Sequence, residues 1–314
     1  MTDILLIYNP AAGRLSARPF IQGIVRTLSG KGWTIHVAET LNGRHSTQLA
    51  RKAAEEKFHA AFAIGGDGTV GQVASGLIDS ETALGVIPAG TANVWARELG
   101  LSPFTWYRWG SLRTNSKILA ESPIRKIDVG LCNHQPFLMW TGIGLDALAV
   151  HKLEPRKRFY KYLSVPQYMA ATIQTASFWH GMNLDVWADG KKVEGHYLLA
   201  VASNIRYYMG GLTKLSPLAR IDDGEMELWL LSGSTLADAF RHFFDLLSGR
   251  HIKSEYAKCV PFKQLRIHSD TPFSIQMDGE PVLAGNEVEI RIKHKGLRVL
   301  IPSQSNQYLS LPDN

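Results

Sequence analysis

Short apolar runs alternate with amphipathic stretches through the first third of the chain, and this alternation limits the fold more than any other feature. Runs at 4–8, 33–38, 60–64 and 84–87 have the length and apolar character of buried strands. Between them Phe20, Ile24, Val25 and Leu28 fall at helical spacing, with Gly30 and Gly32 as stops. Further helices are expected over 45–57 and 70–78, and another begins near Ala92. Strands that alternate with helices favour a parallel sheet covered on both faces. Such sheets bind ligands outside the carboxyl ends of their strands, so the loops after Tyr8, Ile64 and Ile87 are the ones to read.

The pattern changes after about residue 127. β-rich runs recur at 136–141, 184–188, 197–202, 226–231, 273–277 and 288–292. Two helical stretches interrupt them, one within 156–178 and one carrying Leu236, Phe240, Phe243, Phe244 and Leu247 before a stop at Gly249. This half reads as a mainly antiparallel β domain with helical insertions. A length of 314 residues suits two domains, and 45% hydrophobic with 20% charged residues supplies a sizeable core. No apolar run reaches the roughly 18 residues that span a bilayer. The opening Met1-Thr2-Asp3 lacks a basic n-region, so no secretory signal is expected. Cys132 and Cys259 cannot build a disulfide framework or a four-ligand zinc site; both read as core residues in a reducing cytoplasm. The net charge of +6 permits nucleic acid, phosphate-bearing ligands or an acidic membrane as partners. No zinc-finger or RNP1-like run accompanies it, so nucleic acid is not expected.

Gly65-Gly66-Asp67-Gly68-Thr69 lies between an expected strand and an expected helix. Glycines allow a close backbone approach, and main-chain N–H groups at a helix start favour phosphate. Gly66, Gly68 and Gly71 also fit the dinucleotide pattern G-x-G-x-x-G, but no acidic residue stands near the place where a ribose partner is expected. Asp67 beside a pyrophosphate is repulsive unless Mg²⁺ is near, which favours a metal–nucleotide complex over a bare dinucleotide. A glycine-rich turn packed for steric reasons is the alternative. Gly142-Ile143-Gly144-Leu145-Asp146-Ala147 is a weaker match and reads as a bend inside the β domain. After the next strand, Pro88-Ala89-Gly90-Thr91-Ala92-Asn93 offers a close approach at Gly90 and polar side chains at a helix start, with a plain Thr91 cap as the alternative. The two loops together suit one triphosphate.

Gly65-Gly66-Asp67-Gly68-Thr69 followed by Pro88-x-Gly90-Thr91-x-Asn93 resembles the diacylglycerol kinase catalytic family of lipid kinases. Ile7-Tyr8-Asn9-Pro10-x-x-Gly13, Thr40 with His45, Asp128-Val129-Gly130, the 142–147 segment, Asp222-Asp223-Gly224 and Asp278-Gly279-Glu280 extend the resemblance along nearly the whole chain. It implies an N-terminal Rossmann-like α/β domain of the NAD kinase/phosphofructokinase type over 1–127, with 300–314 as a completing segment. A C-terminal β-sandwich domain with helical insertions would occupy 128–299, with a cleft between the two. It implies an enzyme that transfers the ATP γ-phosphate to a lipid hydroxyl such as that of diacylglycerol, with ATP and Mg²⁺ as cofactors. Asn9, Thr40, Gly65, Gly66, Asp67, Gly68, Thr69, Gly90, Thr91 and Asn93 would surround ATP, with Asp67 also catalytic. Glu280 would accept the proton from the lipid hydroxyl, its alternative being a solvated turn acid. Asp223 with the carbonyls of Arg220 and Glu225 would hold a structural Mg²⁺, against the alternative of an Asp-Gly hairpin turn.

The implied partners are a lipid and an anionic membrane surface, with a homodimer left open. The implied location is cytoplasmic, against the inner face of the membrane. The family usually continues G-G-D-G-T-x-N-E where this chain has Gly71-Gln72, and Asn93-Val94 replaces a frequent Asn-Asp. An NAD kinase and a non-catalytic nucleotide or lipid sensor are the competing readings. Lys152, Arg156, Lys157, Arg158 and Lys161, interleaved with Phe159, Tyr160 and Tyr162, read as a solvated helix face or as a grip on anionic headgroups. Trp106, Tyr107 and Trp109 are expected to pack inside, with a lipid entrance as the alternative.

Overall fold

The computed structural model describes residues 2–41, 43–153, 174–175 and 177–310. The chain divides into two compact units, Met1–Asp128 with His294–Asn314, and Val129–Lys293. The helix expected within 156–178 and the basic stretch from Arg156 onward fall largely outside the described residues.

In the first unit β1 (Thr2–Tyr8), α1 (Ile21–Ser29), β2 (Trp33–Glu39), α2 (Gly43–Glu55), β3 (Ala60–Gly65), α3 (Asp67–Leu77) and β4 (Ala83–Pro88) alternate as expected. The four strands are parallel in the order β2-β1-β3-β4. Every residue of β3 and β4 is buried, as for central strands covered on both faces, whereas β2 is an edge strand that leaves Val37 exposed. From β1 the chain runs to one side and returns on the other to form β3. That reversal opens a crevice at the carboxyl ends of β1 and β3. α3 starts at Asp67 rather than 70, because Gly66 is extended and its carbonyl already accepts the Val70 N–H at 3.0 Å. At Gly76 α3 lies so close to α2 that an added Cβ would meet the Thr47 carbonyl oxygen at 2.6 Å.

α4 (Val94–Glu98) begins two residues beyond Ala92, and α5 (Ser111–Ala120) follows the turn at 106–110. Trp106, Tyr107 and Trp109 are exposed in that turn, contrary to expectation, while the buried Phe104 packs edge-on against the half-buried Phe20 with rings 5.3 Å apart. The C-terminal segment returns to the same unit. Val299 pairs with Leu84 in parallel, and Ser305 Oγ donates to the Leu99 carbonyl at 2.8 Å. The buried Asp128 carboxylate accepts the Lys295 N–H at 2.7 Å and the His294 Nδ1 at 2.8 Å, where the chain re-enters this unit.

The second unit is antiparallel. Its elements run from β5 (Ile124–Cys132), which enters it from the first unit, through β6 (Gln135–Phe137), β7 (Trp140–Gly144), α6 (Leu145–Leu153), β8 (Met182–Ala188) and β9 (Lys191–Ser203). After the short pair β10 (Tyr207–Tyr208) and β11 (Thr213–Lys214) come β12 (Met226–Ser232), α7 (Leu236–Ser248), β13 (Ala257–Phe262), β14 (Gln264–Met277) and β15 (Glu280–Leu300). Strand order is β13-β12-β9-β7-β14-β15, with β8 also paired to β9 and β14. β8 buries alternate residues, and Leu184 and Val186 join Phe137, Leu228, Phe262, Ile267 and Phe273 in one core. α7 is closed by a Thr235/Asp238 capping box at its start and by Gly249 at φ +71° at its end.

Two expectations change here. The 142–147 segment is a strand-to-helix turn and not a bend, since Gly144 at φ +80° ends β7 and α6 starts on the next residue. Cys132 is buried, but Cys259 is exposed, because it sits on β13 at the edge of the strand order. Among the described residues no helix is long and apolar enough to cross a membrane.

Candidate active site

In the first unit three loops leave the carboxyl ends of β1, β3 and β4 and pack main chain against main chain. The Asn9 N–H donates to the Ile64 carbonyl at 3.1 Å, and the Ala89 N–H donates to the Gly65 carbonyl at 2.8 Å. Asn9 crosses the crevice: its Nδ2 donates to Thr69 Oγ1 at 3.0 Å while its Oδ1 accepts the Ala11 N–H at 2.9 Å. Gly66 and Gly90 nearly touch, since a Cβ on Gly90 would run into the Gly66 Cα and come 3.0 Å from the Gly66 nitrogen. Gly13, at φ +71°, lets the first loop reach the third, because a side chain there would meet the Ala89 carbonyl. Only glycine satisfies both contacts.

Asn93 holds the last loop without capping a helix by its side chain. It adopts φ +52°, a conformation Asn tolerates better than most residues. Its Oδ1 accepts the Gly90 N–H and its Nδ2 donates to the Gly90 carbonyl, both at 2.9 Å. Thr91, which the sequence offered as a cap, is exposed in this loop and supplies none. Thr40 lies beyond the end of β2, buried, with its N–H on the Tyr8 carbonyl at 2.8 Å. The fold therefore gathers Asn9, Gly65, Gly66, Asp67, Thr69, Gly90 and Asn93, with the exposed Gly68 on the same helix start.

The Asp67 carboxylate, expected beside a cation-bearing triphosphate, also binds the main chain of the next loop. Its Oδ1 accepts the Trp95 N–H at 3.0 Å, and the Val94 and Asn93 amides also donate to it. Burial pushes its carboxyl above the ordinary value, and those amides pull it partly back. The residue thus joins the start of α3 to the start of α4 and acts as a positioning group. A carboxylate has two oxygens, so the bond from the Trp95 N–H to Oδ1 leaves hard-oxygen chemistry of the kind a hydrated Mg²⁺ accepts. The helix start of α3 stays suited to an anion. Gly66 provides no side-chain cap, and the first N–H engaged within the helix is that of Val70.

In the second unit Asp278 and Gly279 form the two-residue turn between β14 and β15, at φ +49° and +84°, which is the type I′ pattern. The Asp278 carboxylate accepts three main-chain N–H groups, from Leu138 and Met139 at 2.8 Å and from Trp140 at 3.1 Å. Gly279 N–H donates to Gln276 Oε1 at 2.8 Å, and Gln276 Nε2 donates to the buried Asp146 at 2.6 Å. This frame presents Glu280, exposed, as the first residue of β15. Asp146, Gln276 and Asp278 were not singled out from sequence as site residues. The Asp-Gly dipeptide signalled the turn, but no sequence signal showed where its carboxylate would bond.

Asp222-Asp223-Gly224 is not a hairpin turn, since the strand it precedes, β12, pairs with β9 and β13. Asp223 is exposed, and its Oδ1 accepts the Glu225 N–H at 3.1 Å. Among the described residues no three His, Cys, Asp or Glu side chains gather for a metal ion. A carboxylate with neighbouring carbonyls is nevertheless the hard-oxygen donor set that a hydrated Mg²⁺ accepts.

Comparisons with known proteins fit both units. A family model described as the diacylglycerol kinase catalytic domain matches residues 3–132, and one described as the YegS C-terminal NAD kinase beta sandwich-like domain matches residues 141–301. The chain is 26% identical over 308 residues to a diacylglycerol kinase of Bacillus subtilis, covering 97% of this chain and 98% of that one. A crystal structure of a diacylglycerol kinase from Bacillus anthracis superposes with a TM-score of 0.72 at 20% identity, covering 97% and 98% of the two chains. An NAD kinase of Archaeoglobus fulgidus in complex with ATP shares the fold at a TM-score of 0.53 and 10% identity, over 97% of this chain and 96% of that one. With both family models matched in order along one chain, this protein belongs to the diacylglycerol kinase catalytic family and carries that family's β-sandwich-like C-terminal domain.

Proposed function

We propose that the protein is an ATP-dependent lipid kinase that transfers the γ-phosphate to a hydroxyl of a lipid such as diacylglycerol. The observation that carries the reading is the uncapped start of α3, set where the Gly66 and Gly90 backbones meet at the carboxyl ends of parallel strands. Main-chain N–H groups of Gly68 and Thr69 would take phosphate oxygens, with Thr40, Thr91 and the Asn9–Thr69 pair bordering the nucleotide. A side chain at position 66 or 90 would push apart the two loops that border the proposed phosphate site.

The lipid hydroxyl oxygen forms a bond to the γ-phosphorus, the bond from that phosphorus to the β,γ-bridging oxygen breaks, and ADP leaves. The hydroxyl proton passes to the Glu280 carboxylate. Transfer of this kind depends on positioning and charge neutralisation more than on covalent work by the protein. Magnesium, carried by the nucleotide, would supply charge neutralisation at the phosphates. A second Mg²⁺ would be held by Asp223 and the carbonyls of Arg220 and Glu225, where it would brace the loop before β12. Gly71 and Gln72 lie in the second turn of α3, and the Gln72 carbonyl accepts Thr47 Oγ1 at 2.9 Å, which fixes the helix rather than a ligand.

The test is incubation with γ-labelled ATP, Mg²⁺ and a panel of lipids bearing free hydroxyls. A labelled lipid that disappears with Glu280→Gln is expected. NADP formation in place of any labelled lipid would transfer the assignment to a dinucleotide kinase, and tight ATP binding without turnover would make the protein a sensor.

A further inference from the structure

We propose that the turn at 106–109 docks the first unit on an anionic bilayer, with Trp106 and Tyr107 entering the interface and Arg108 meeting lipid phosphate. The inference rests on the reading that the substrate is a lipid held in a membrane. Trp106, Tyr107 and Trp109 are 71%, 63% and 63% exposed, a concentration of aromatic surface that water alone does not favour. They are ordered against one another. Trp106 meets Tyr107 edge to face at 5.5 Å, and Trp109 is braced from behind by Phe20 at 6.3 Å. The Arg108 guanidinium lies 5.9 Å from the centre of the Tyr107 ring.

The chemistry of the surroundings selects the occupant. Residues 99–120 include Arg108, Arg113 and Lys117 and no acid, and neither Arg108 nor Arg113 forms an ion pair among the described residues. Indole and phenol rings, apolar with a polar tip, settle at the level of lipid headgroups, and guanidinium groups pair with phosphate. The exposed rings belong to one turn of four residues. A fluid interface accepts so small a surface without a matching shape, whereas a specific protein partner needs a complementary patch of about 800 Å² a side.

The full-length protein is centrifuged with vesicles of phosphatidylcholine, with and without phosphatidylglycerol. W106A/Y107A and R108E are compared with wild type, and thermal unfolding confirms that each variant is folded. Wild type is expected to pellet with the anionic vesicles. W106A/Y107A should bind both kinds about tenfold more weakly, through lost apolar contact. R108E should bind anionic vesicles at least about fivefold more weakly, with little change on neutral ones. Phosphorylation of a short-chain, water-dispersed diacylglycerol should be unchanged in both variants, while that of vesicle-borne substrate falls. Wild type left in the supernatant, or variants that pellet like wild type, would overturn the proposal. So would self-association lost in W106A/Y107A with no effect of the substitutions on vesicle binding. Vesicle binding that follows the expected pattern with no lipid phosphorylated by any form would uphold the docking surface and defeat the kinase reading alone.

Discussion

Two of the chain's Asp-Gly pairs, one in each unit, use the acid alike but leave different groups for a ligand. Asp67-Gly68 opens α3, and its carboxylate turns onto the first amides of α4. Asp278-Gly279 makes a type I′ turn, and its carboxylate gathers the amides of residues 138–140. In both cases the acid holds backbone together. The groups left for ligands differ: the first pair leaves main-chain donors at a helix start, suited to an anion, and the second presents Glu280, suited to take a proton. An acid inside a glycine motif is therefore as much a strut as a reactive group, and the residues beside it carry the proposed chemistry.

The sharpest way to break this division of labour is Glu280→Gln. Transfer should fall by about 10²–10⁴-fold, the usual worth of a general base, with ATP affinity unchanged in equilibrium titration. Unaltered turnover would remove Glu280 from the chemistry. Next in size is Asp278→Ala, which strips three amides of their acceptor and should cost about 3 kcal/mol in urea unfolding, given about 1.5–3 kcal/mol for a single bond to a charged group and imperfect additivity. A loss below about 1 kcal/mol would show that water replaces the carboxylate easily.

Gly90→Ala tests the other side of the comparison. Its Cβ runs into the Gly66 Cα, so overpacking of about 1–3 kcal/mol should appear together with weakened ATP binding. Normal ATP binding in a folded variant would mean that the contact between the two loops does not shape the nucleotide site. The smallest effect belongs to Asp67→Asn. Because burial raises the folded-state value, the folded protein keeps this proton after the unfolded chain has released it. Stability from this group is therefore greatest below the ordinary carboxylate range and declines as pH rises through the raised value. The Asn variant should show a shallower decline over that window in urea midpoints, and an identical slope would mean that the carboxyl is not desolvated.

Much of the first unit was legible because a buried central strand reads as an apolar run and its exit loop as glycine. The loops after Tyr8, Ile64 and Ile87 follow from that pattern, and so does the close approach at Gly90. The direction of the Asp67 carboxylate was not legible: it depends on where α4 begins, and that start is set by the left-handed Asn93, whose own bonds to Gly90 are not written in local spacing. Trp106, Tyr107 and Trp109 were misread for a related reason. Hydrophobicity favours burial, but only the packed structure shows that Phe104 is buried against Phe20 while the three rings of the turn stay exposed. Asp146 and Gln276 escaped notice because they are 130 positions apart and meet only through β-sheet pairing.

Hydrogen exchange with and without MgATP tests the central claim most directly. Bound nucleotide should slow exchange at the amides of residues 66–69, with a smaller effect in the loop at 88–94 whose backbone supports them. Saturating nucleotide that leaves those amides unchanged while protecting a different region would contradict the assignment of the α3 start as the phosphate site.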